Sequence, residues 1–162
     1  PRLDRRQEGA ILNSTMYWIT ETLLVGNIED ARQPMAAIAA LLLVAEEFSI
    51  EPPPWLEYQK VPFKEFAPVD AVSLDRAVSW VESRDQGSRV LVCCRAGMGR
   101  SASVVIAYFC CVRDMSYDDA VALVKAKRPG AVPLPNLQET IAQVRQLRRQ
   151  RQDHAKHSPP AA

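Results

Sequence analysis

The stretch that most constrains this chain is residues 89–112, RVLVCCRAGMGRSASVVIAYFCCV. Residues 89–93 are a compact apolar run of the kind that forms a buried strand, and residues 101–112 are an apolar stretch of helical length. Between them, residues 94–100 contain two glycines. A loop is therefore expected at the end of a buried strand, leading straight into an apolar helix, and its residue types point to chemistry.

Residues 94–101 read CRAGMGRS, with a cysteine at the strand's end, an arginine six positions later and a hydroxyl after it. The backbone N–H groups of such a loop can converge on an anion. Gly97 and Gly99 supply the backbone freedom and close approach that a cradle requires. The amides at the following helix N-terminus add positive potential. That field favours the thiolate form of Cys94, which is the nucleophile. Arg100 is always charged and forked, so it can hold two oxygens of a phosphoryl group, and Ser101 can hydrogen-bond the sulfur. Arg95, Ala96, Gly97, Met98 and Gly99 are the candidate substrate-binding positions. The alternative, a buried small hydrophobe at Cys94 and an ordinary surface arginine, does not account for the two glycines and the hydroxyl together.

The remaining pattern is mixed α and β. Residues 16–19 and 23–25 are β-prone runs that suit an opening hairpin, and residues 30–37 suit a short helix interrupted by Pro34. Residues 39–45 read as a fully buried strand, with their Ala and Leu content leaving a helix as the alternative. After EPPP at 51–54, residues 55–61 read as a strand ending at Pro62, with a loop over 63–70. Leu74, Ala77, Val78 and Val81 fall at helical spacing, which predicts a helix over 72–84. Ser116 with Asp119 predicts a capped helix start running to about Lys127, where Pro129 and Gly130 stop it. A last helix is expected from Asn136 to about Gln150, with the basic run at 145–151 as its solvated end. Residues 1–12 read as a flexible leader, 13–150 as one domain and 151–162 as a disordered tail.

Composition narrows the classes. Of 162 residues, 48% are hydrophobic and 24% charged, as in an ordinary globular domain. The formal net charge of +1 gives no reason to expect a nucleic-acid or membrane partner. The longest apolar stretches are too short to span a bilayer. Four cysteines fall in two adjacent pairs, Cys93/Cys94 and Cys110/Cys111, a spacing that fits neither a disulfide framework nor a zinc site. A reducing, cytoplasmic setting is expected, with no metal, no cofactor and a monomeric state. Cys110 and Cys111 read as core.

CRAGMGRS resembles the Cys-x5-Arg-Ser/Thr signature of the protein tyrosine phosphatase superfamily, and the small dual-specificity branch fits best. The resemblance extends over about residues 16–148. It includes ITETLLVGNIEDA, AALLLVAEE, VPFKEFAP and KRPGAV, of which only the signature loop is highly specific. It implies an α/β fold with a central, mainly parallel sheet of about five strands flanked by helices. It also implies hydrolysis of phosphate monoesters through a phosphocysteine on Cys94, the substrates being phosphotyrosine and phosphoserine or phosphothreonine in proteins.

In several dual-specificity relatives the general acid is an aspartate placed after an Ile-Pro-like pair, which maps here onto Glu65 after Val61-Pro62, with Asp70 in reserve. A second departure is Cys93, where the family usually has histidine. Two further readings follow from these departures and from the breadth of the family. One is a pseudophosphatase that binds phosphorylated partners without turnover. The other is a phosphatase of phosphoinositides or RNA 5′-phosphates. The loop lacks the lysines typical of phosphoinositide-specific relatives. Asn136, in Leu134-Pro135-Asn136, resembles a loop-supporting position.

Overall fold

Strands form where apolar runs are bounded by turn residues, and five of them share one sheet. The structure, a computed structural model, describes residues 16–161. The strands are β1 (Tyr17–Trp18), β2 (Leu23–Gly26), β3 (Ala40–Ala45), β4 (Glu57–Phe63) and β5 (Val90–Cys93), in the order β1-β2-β5-β3-β4. β1 is antiparallel to β2, and all other pairings are parallel. Every residue of β3 and β5 is buried. This is why their sequences are continuous apolar runs rather than alternating ones.

Among the described residues, five helices flank the sheet: α1 (Ile28–Arg32), α2 (Ala71–Arg84), α3 (Arg100–Cys111), α4 (Tyr117–Lys127) and α5 (Leu137–His157). Eleven of the twelve residues of α3 are buried. It packs on β5, β2 and β3 and is enclosed by α2, α4 and α5, so a helix apolar on all sides is what the position needs. Asp70 caps α2 by accepting the Ser73 amide, and Ser116 caps α4 by accepting the Asp119 amide.

Three elements differ from the sequence pattern. The short helix expected over 30–37 lies at Ile28–Arg32. There Asn27 and Asp30 form a reciprocal capping box, each side chain accepting the other's amide at 2.9 Å. The strand expected to stop at Pro62 continues to Phe63. β4 is the sheet edge, and the pairing shifts by one residue between Leu43↔Lys60 and Ala45↔Phe63, so a bulge accommodates the proline.

The third difference is α5, which runs past residue 150 to His157, so residues 151–157 are helical rather than a frayed tail. The basic run is not merely solvated. Arg148 pairs with Glu82 at 2.5 Å and with Asp75 at 3.6 Å, and Arg151 also pairs with Asp75. These contacts with α2 tie down the helix where its apolar stripe ends. The expected leader, residues 1–12, and the first residues of the domain lie outside the described residues.

One buried carboxylate joins the hairpin to the core. Asp85, 6% exposed, accepts from the hydroxyls of Thr22 and Tyr108, each at 2.5 Å, while Arg113 lies 3.6 Å away. Burial first, then the Asp85 carboxylate, pushes the Tyr108 phenol up to about 12. Asp85→Ala strips two hydroxyls of their acceptor and is expected to cost about 2–3 kcal/mol at pH 7. The loss is read as a lower urea midpoint at unchanged m value. Arg113→Ala, which removes an exposed partner, should cost under about 1 kcal/mol.

Candidate active site

Residues 94–99 leave the C-terminal end of β5 and enter α3, and each loop carbonyl from 95 to 99 is bound from outside the loop. The Ile28 amide donates to Arg95 O (3.2 Å), and the Arg128 guanidinium donates to Ala96 O (3.3 Å) and Gly97 O (3.0 Å). The Val132 amide donates to Met98 O (2.9 Å), and both the amide and hydroxyl of Ser103 donate to Gly99 O (2.9 and 2.8 Å). In a trans peptide the N–H points opposite to the C=O. Holding these five carbonyls outward therefore turns the amides of Ala96, Gly97, Met98, Gly99 and Arg100 inward. The result is a concave ring of N–H donors continuous with the first turn of α3.

The two glycines are not equivalent. Gly97 has φ +69°, and a Cβ there would lie 2.8 Å from Gly26 O, so β2's end leaves room for nothing larger. Gly99 has φ −105°, and a Cβ would meet nothing nearer than Val132 O at 3.7 Å. The backbone itself requires glycine only at 97.

Cys94, 3% exposed, opens this loop, its Sγ 3.2 Å from the Ser101 Oγ. Cys93 is fully buried in β5, and burial pushes its thiol well up. Cys110 is buried and Cys111 half-buried, and burial raises the Cys111 thiol to about 11. All four are free thiols.

Arg100 is 2% exposed, and its donors can be assigned one by one. Of five guanidinium N–H bonds, both on Nη1 are used, one to Glu47 Oε2 (2.6 Å) and one to Phe63 O (3.1 Å). One on Nη2 donates to Glu47 Oε1 at 2.5 Å. The second Nη2–H and the Nε–H have no hydrogen-bond partner among the described residues. These two lie side by side on one edge, a fork matched to two oxygens of a tetrahedral anion.

Glu47 is held in its turn. Lys60 donates to the carbonyls of Glu46 (3.1 Å) and Phe48 (2.6 Å), on either side of it. The Arg100 hydrogen bond, outweighing burial, lowers the Glu47 carboxyl to about 2.

A pocket of about 270 Å³ opens over the sulfur. Cys94, Ala96, Met98, Gly99 and Arg100 form one part of its lining. Glu65 and Phe66 come from the loop after β4, and residues 132–135 come from the connection between α4 and α5. Ser101 meets the sulfur from within α3. Arg95 and Gly97, expected among the substrate-binding positions, are not in the lining: Arg95 lies 3.6 Å from the Glu65 carboxylate, and Gly97 packs on Gly26.

Asp70 does not line this pocket. It caps α2, and the Ser73 amide holds its carboxyl below the usual range. Asn136 takes a left-handed φ of 56° at the start of α5. Three residues of the site do not stand out in the sequence: Glu47, Ser103 and Arg128. A signal for Glu47 does exist. A buried arginine requires an anion, and an acidic pair follows β3, the strand beside β5.

The family model described as "Dual specificity phosphatase, catalytic domain" matches residues 38–147. Dual specificity protein phosphatase 22 of Mus musculus is 33% identical over 129 residues, covering 75% of this chain and 69% of its own length. Dual specificity protein phosphatase 16 of Homo sapiens is 44% identical over 61 residues, 37% of this chain. That match and two others, to phosphatases of Drosophila melanogaster and Dictyostelium discoideum, span only 9%, 20% and 7% of those relatives' lengths. The solved structure of PTPMT1 in complex with PI(5)P shares the fold, with a TM-score of 0.70 at 18% identity over 85% of this chain and 98% of that one.

The Glu47 carboxyl titrates near 2 in the fold, below its ordinary value of 4.5. A depressed carboxyl contributes stability that is complete above the unfolded value and lost as pH falls toward the folded one. The melting-temperature advantage of wild type over Glu47→Gln should therefore be constant from pH 8 to about pH 5 and shrink below about pH 4.5. Thermal melts across that range measure it.

Proposed function

The chain belongs to the dual specificity phosphatase catalytic domain family, and from that premise we propose that it hydrolyses phosphate monoesters through a phosphocysteine on Cys94. The observation that carries this reading is the set of five loop carbonyls, 95–99, each bound from outside the loop, on a pocket lined by both Cys94 and Arg100, the latter with one edge that has no hydrogen-bond partner among the described residues. The amide ring that results complements the three equatorial oxygens of a transferring phosphoryl group, and its donors need no reorganisation.

In the first step the Cys94 thiolate attacks phosphorus in line, the S–P bond forms and the P–O bond to the leaving group breaks. Glu65 gives its proton to the departing oxygen. In the second step water attacks phosphorus and gives a proton back to the Glu65 carboxylate, the S–P bond breaks and orthophosphate leaves. The Ser101 hydroxyl, 3.2 Å from the sulfur, donates to the thiolate as it departs. Glu65 is assigned over Asp70 because it lines the pocket with Cys94, whereas Asp70 is engaged as a helix cap.

The preferred substrates are phosphotyrosine and phosphoserine or phosphothreonine in proteins. Beyond the phosphate cradle the lining is apolar, with Phe66, Met98, Val132, Pro133 and Leu134, and no lysine. That lining suits a side chain better than an anionic headgroup, such as that of the PI(5)P held by PTPMT1. Four free cysteines support a reducing, cytoplasmic setting. Among the described residues, no helix is long and apolar enough to cross a membrane.

Turnover of para-nitrophenyl phosphate and of an alkyl phosphate tests this reading. Cys94→Ser should abolish both, and Arg100→Ala should lower kcat/KM by about 10²–10³. Glu65→Gln should lose about 10²–10⁴ on the alkyl ester and far less on the aryl one, whose leaving group needs no proton. Asp70→Asn, which preserves the cap, should stay within about threefold of wild type. Acid-quenched reactions should contain phosphate on Cys94. Their lack, or inactivity on every ester, refutes the proposal.

A further inference from the structure

Arg128 makes no ion pair with any described carboxylate. Its guanidinium donates only to backbone carbonyls, Gly97 O through Nε (3.0 Å), Ala96 O through Nη2 (3.3 Å) and Pro129 O through Nη1. Its flat face stacks on the Tyr17 ring, 4.3 Å from the centroid. Tyr17 is fixed by β1, where it pairs with Val25 next to the end of β2. A two-residue antiparallel strand at the sheet edge thus places an aromatic platform beneath a cation directed at the anion loop.

The two carbonyls held by this fork belong to the peptides on either side of Gly97's α-carbon. Gly97, at φ +69°, adopts its conformation without strain, and a glycine equally permits rotation of the adjoining peptide planes. Rotated, the 96–97 and 97–98 peptides would present carbonyl oxygens to the pocket and repel the anion that their amides attract. The other loop tethers use the backbone amides of Ile28 and Val132 and both the amide and the hydroxyl of Ser103, which is part of α3 itself. Among the described residues, Arg128 is the one side chain that reaches in from outside the loop and α3 to hold this pair of carbonyls.

We propose that Arg128, braced on Tyr17, is a positioning residue that selects the amide-inward state of the 96–98 peptides and so sets the anion affinity of the loop. This rests on the reading of residues 94–100 as an anion cradle. It extends that reading to a residue that does not line the pocket. Arginine is required by geometry: its planar edge spans two successive carbonyls while its face stacks on a ring, and a lysine ammonium can do neither at once.

The test uses the full chain with Arg128→Ala, Arg128→Lys and Tyr17→Leu. It reads tungstate affinity by calorimetry and the ratio of Cys94 alkylation by iodoacetate, an anion, to that by neutral iodoacetamide. Arg128→Ala is expected to weaken tungstate about tenfold or more and to lower the alkylation ratio in parallel. Arg128→Lys should recover less than half of the loss on a logarithmic scale, and Tyr17→Leu should fall between wild type and Arg128→Ala.

Should Arg128→Ala fail to fold, Arg128→Lys and Tyr17→Leu still decide the matter. Unchanged affinity and ratio, with or without a lower melting temperature, overturn the proposal, as does full recovery by lysine, which would make the charge alone sufficient. Wild type that ignores tungstate overturns it together with the cradle. Wild type that binds tungstate in an Arg128-dependent way yet turns over no ester leaves this inference standing while the proposed activity falls.

Discussion

The outward engagement of five successive carbonyls, 95–99, is the constraint on which the rest of the site depends. A planar peptide couples each carbonyl rigidly to the following N–H, so holding one side of the loop orients the other. An anion cradle can then exist before any anion arrives, and its donors cost no reorganisation when one does. The requirement propagates outward. α1 must start at Ile28, which the Asn27–Asp30 capping box secures, and the α4–α5 connection must bring the Val132 amide beside Met98.

Parallel strand order explains why one loop gathers so many supports. β2, β5, β3 and β4 are neighbours running the same way, so the segments following each strand meet at one end of the sheet. After β2 come Gly26 and Ile28. After β3 comes Glu47, and after β4 comes Glu65. Burial of Arg100 is tolerable only because Glu47 arrives by this route. An unpaired guanidinium at 2% exposure would carry an uncompensated desolvation penalty, whereas here three of its donors are fixed and the edge that remains has a single direction.

The strand, loop and helix at 89–112 are legible in the sequence because burial writes itself as continuous apolar runs, and the loop because few other uses exist for a cysteine, two glycines and an arginine at that spacing. Features that depend on distant partners are not legible. Glu47 and Arg128 are not singled out by local pattern, because the groups they contact lie 53 and 31 positions away in the sequence. Pro62 reads as a strand end because a bulge on an edge strand leaves no mark in local composition. The last turns of α5 read as tail because their anchors, Asp75 and Glu82, belong to α2. Gly99 shows the opposite error, a glycine that pattern alone makes seem as necessary as Gly97.

The loop that carries Glu65, the proposed acid, shows how its side chain reaches the pocket. Under the proposed assignment, Glu65 reaches the lining from the loop that follows β4. Immediately after Glu65, Phe66 adopts a left-handed φ of 58°, a conformation that costs a bulky residue about 1–2 kcal/mol. Nothing in core packing repays this, since the Phe66 ring is 83% exposed. The turn instead leaves the Glu65 carboxylate on the pocket lining, where Arg95 stands 3.6 Å away on the cradle's own first residue. The left-handed turn at 66 and the contact with Arg95 thus both bear on the side chain that lines the pocket together with Cys94.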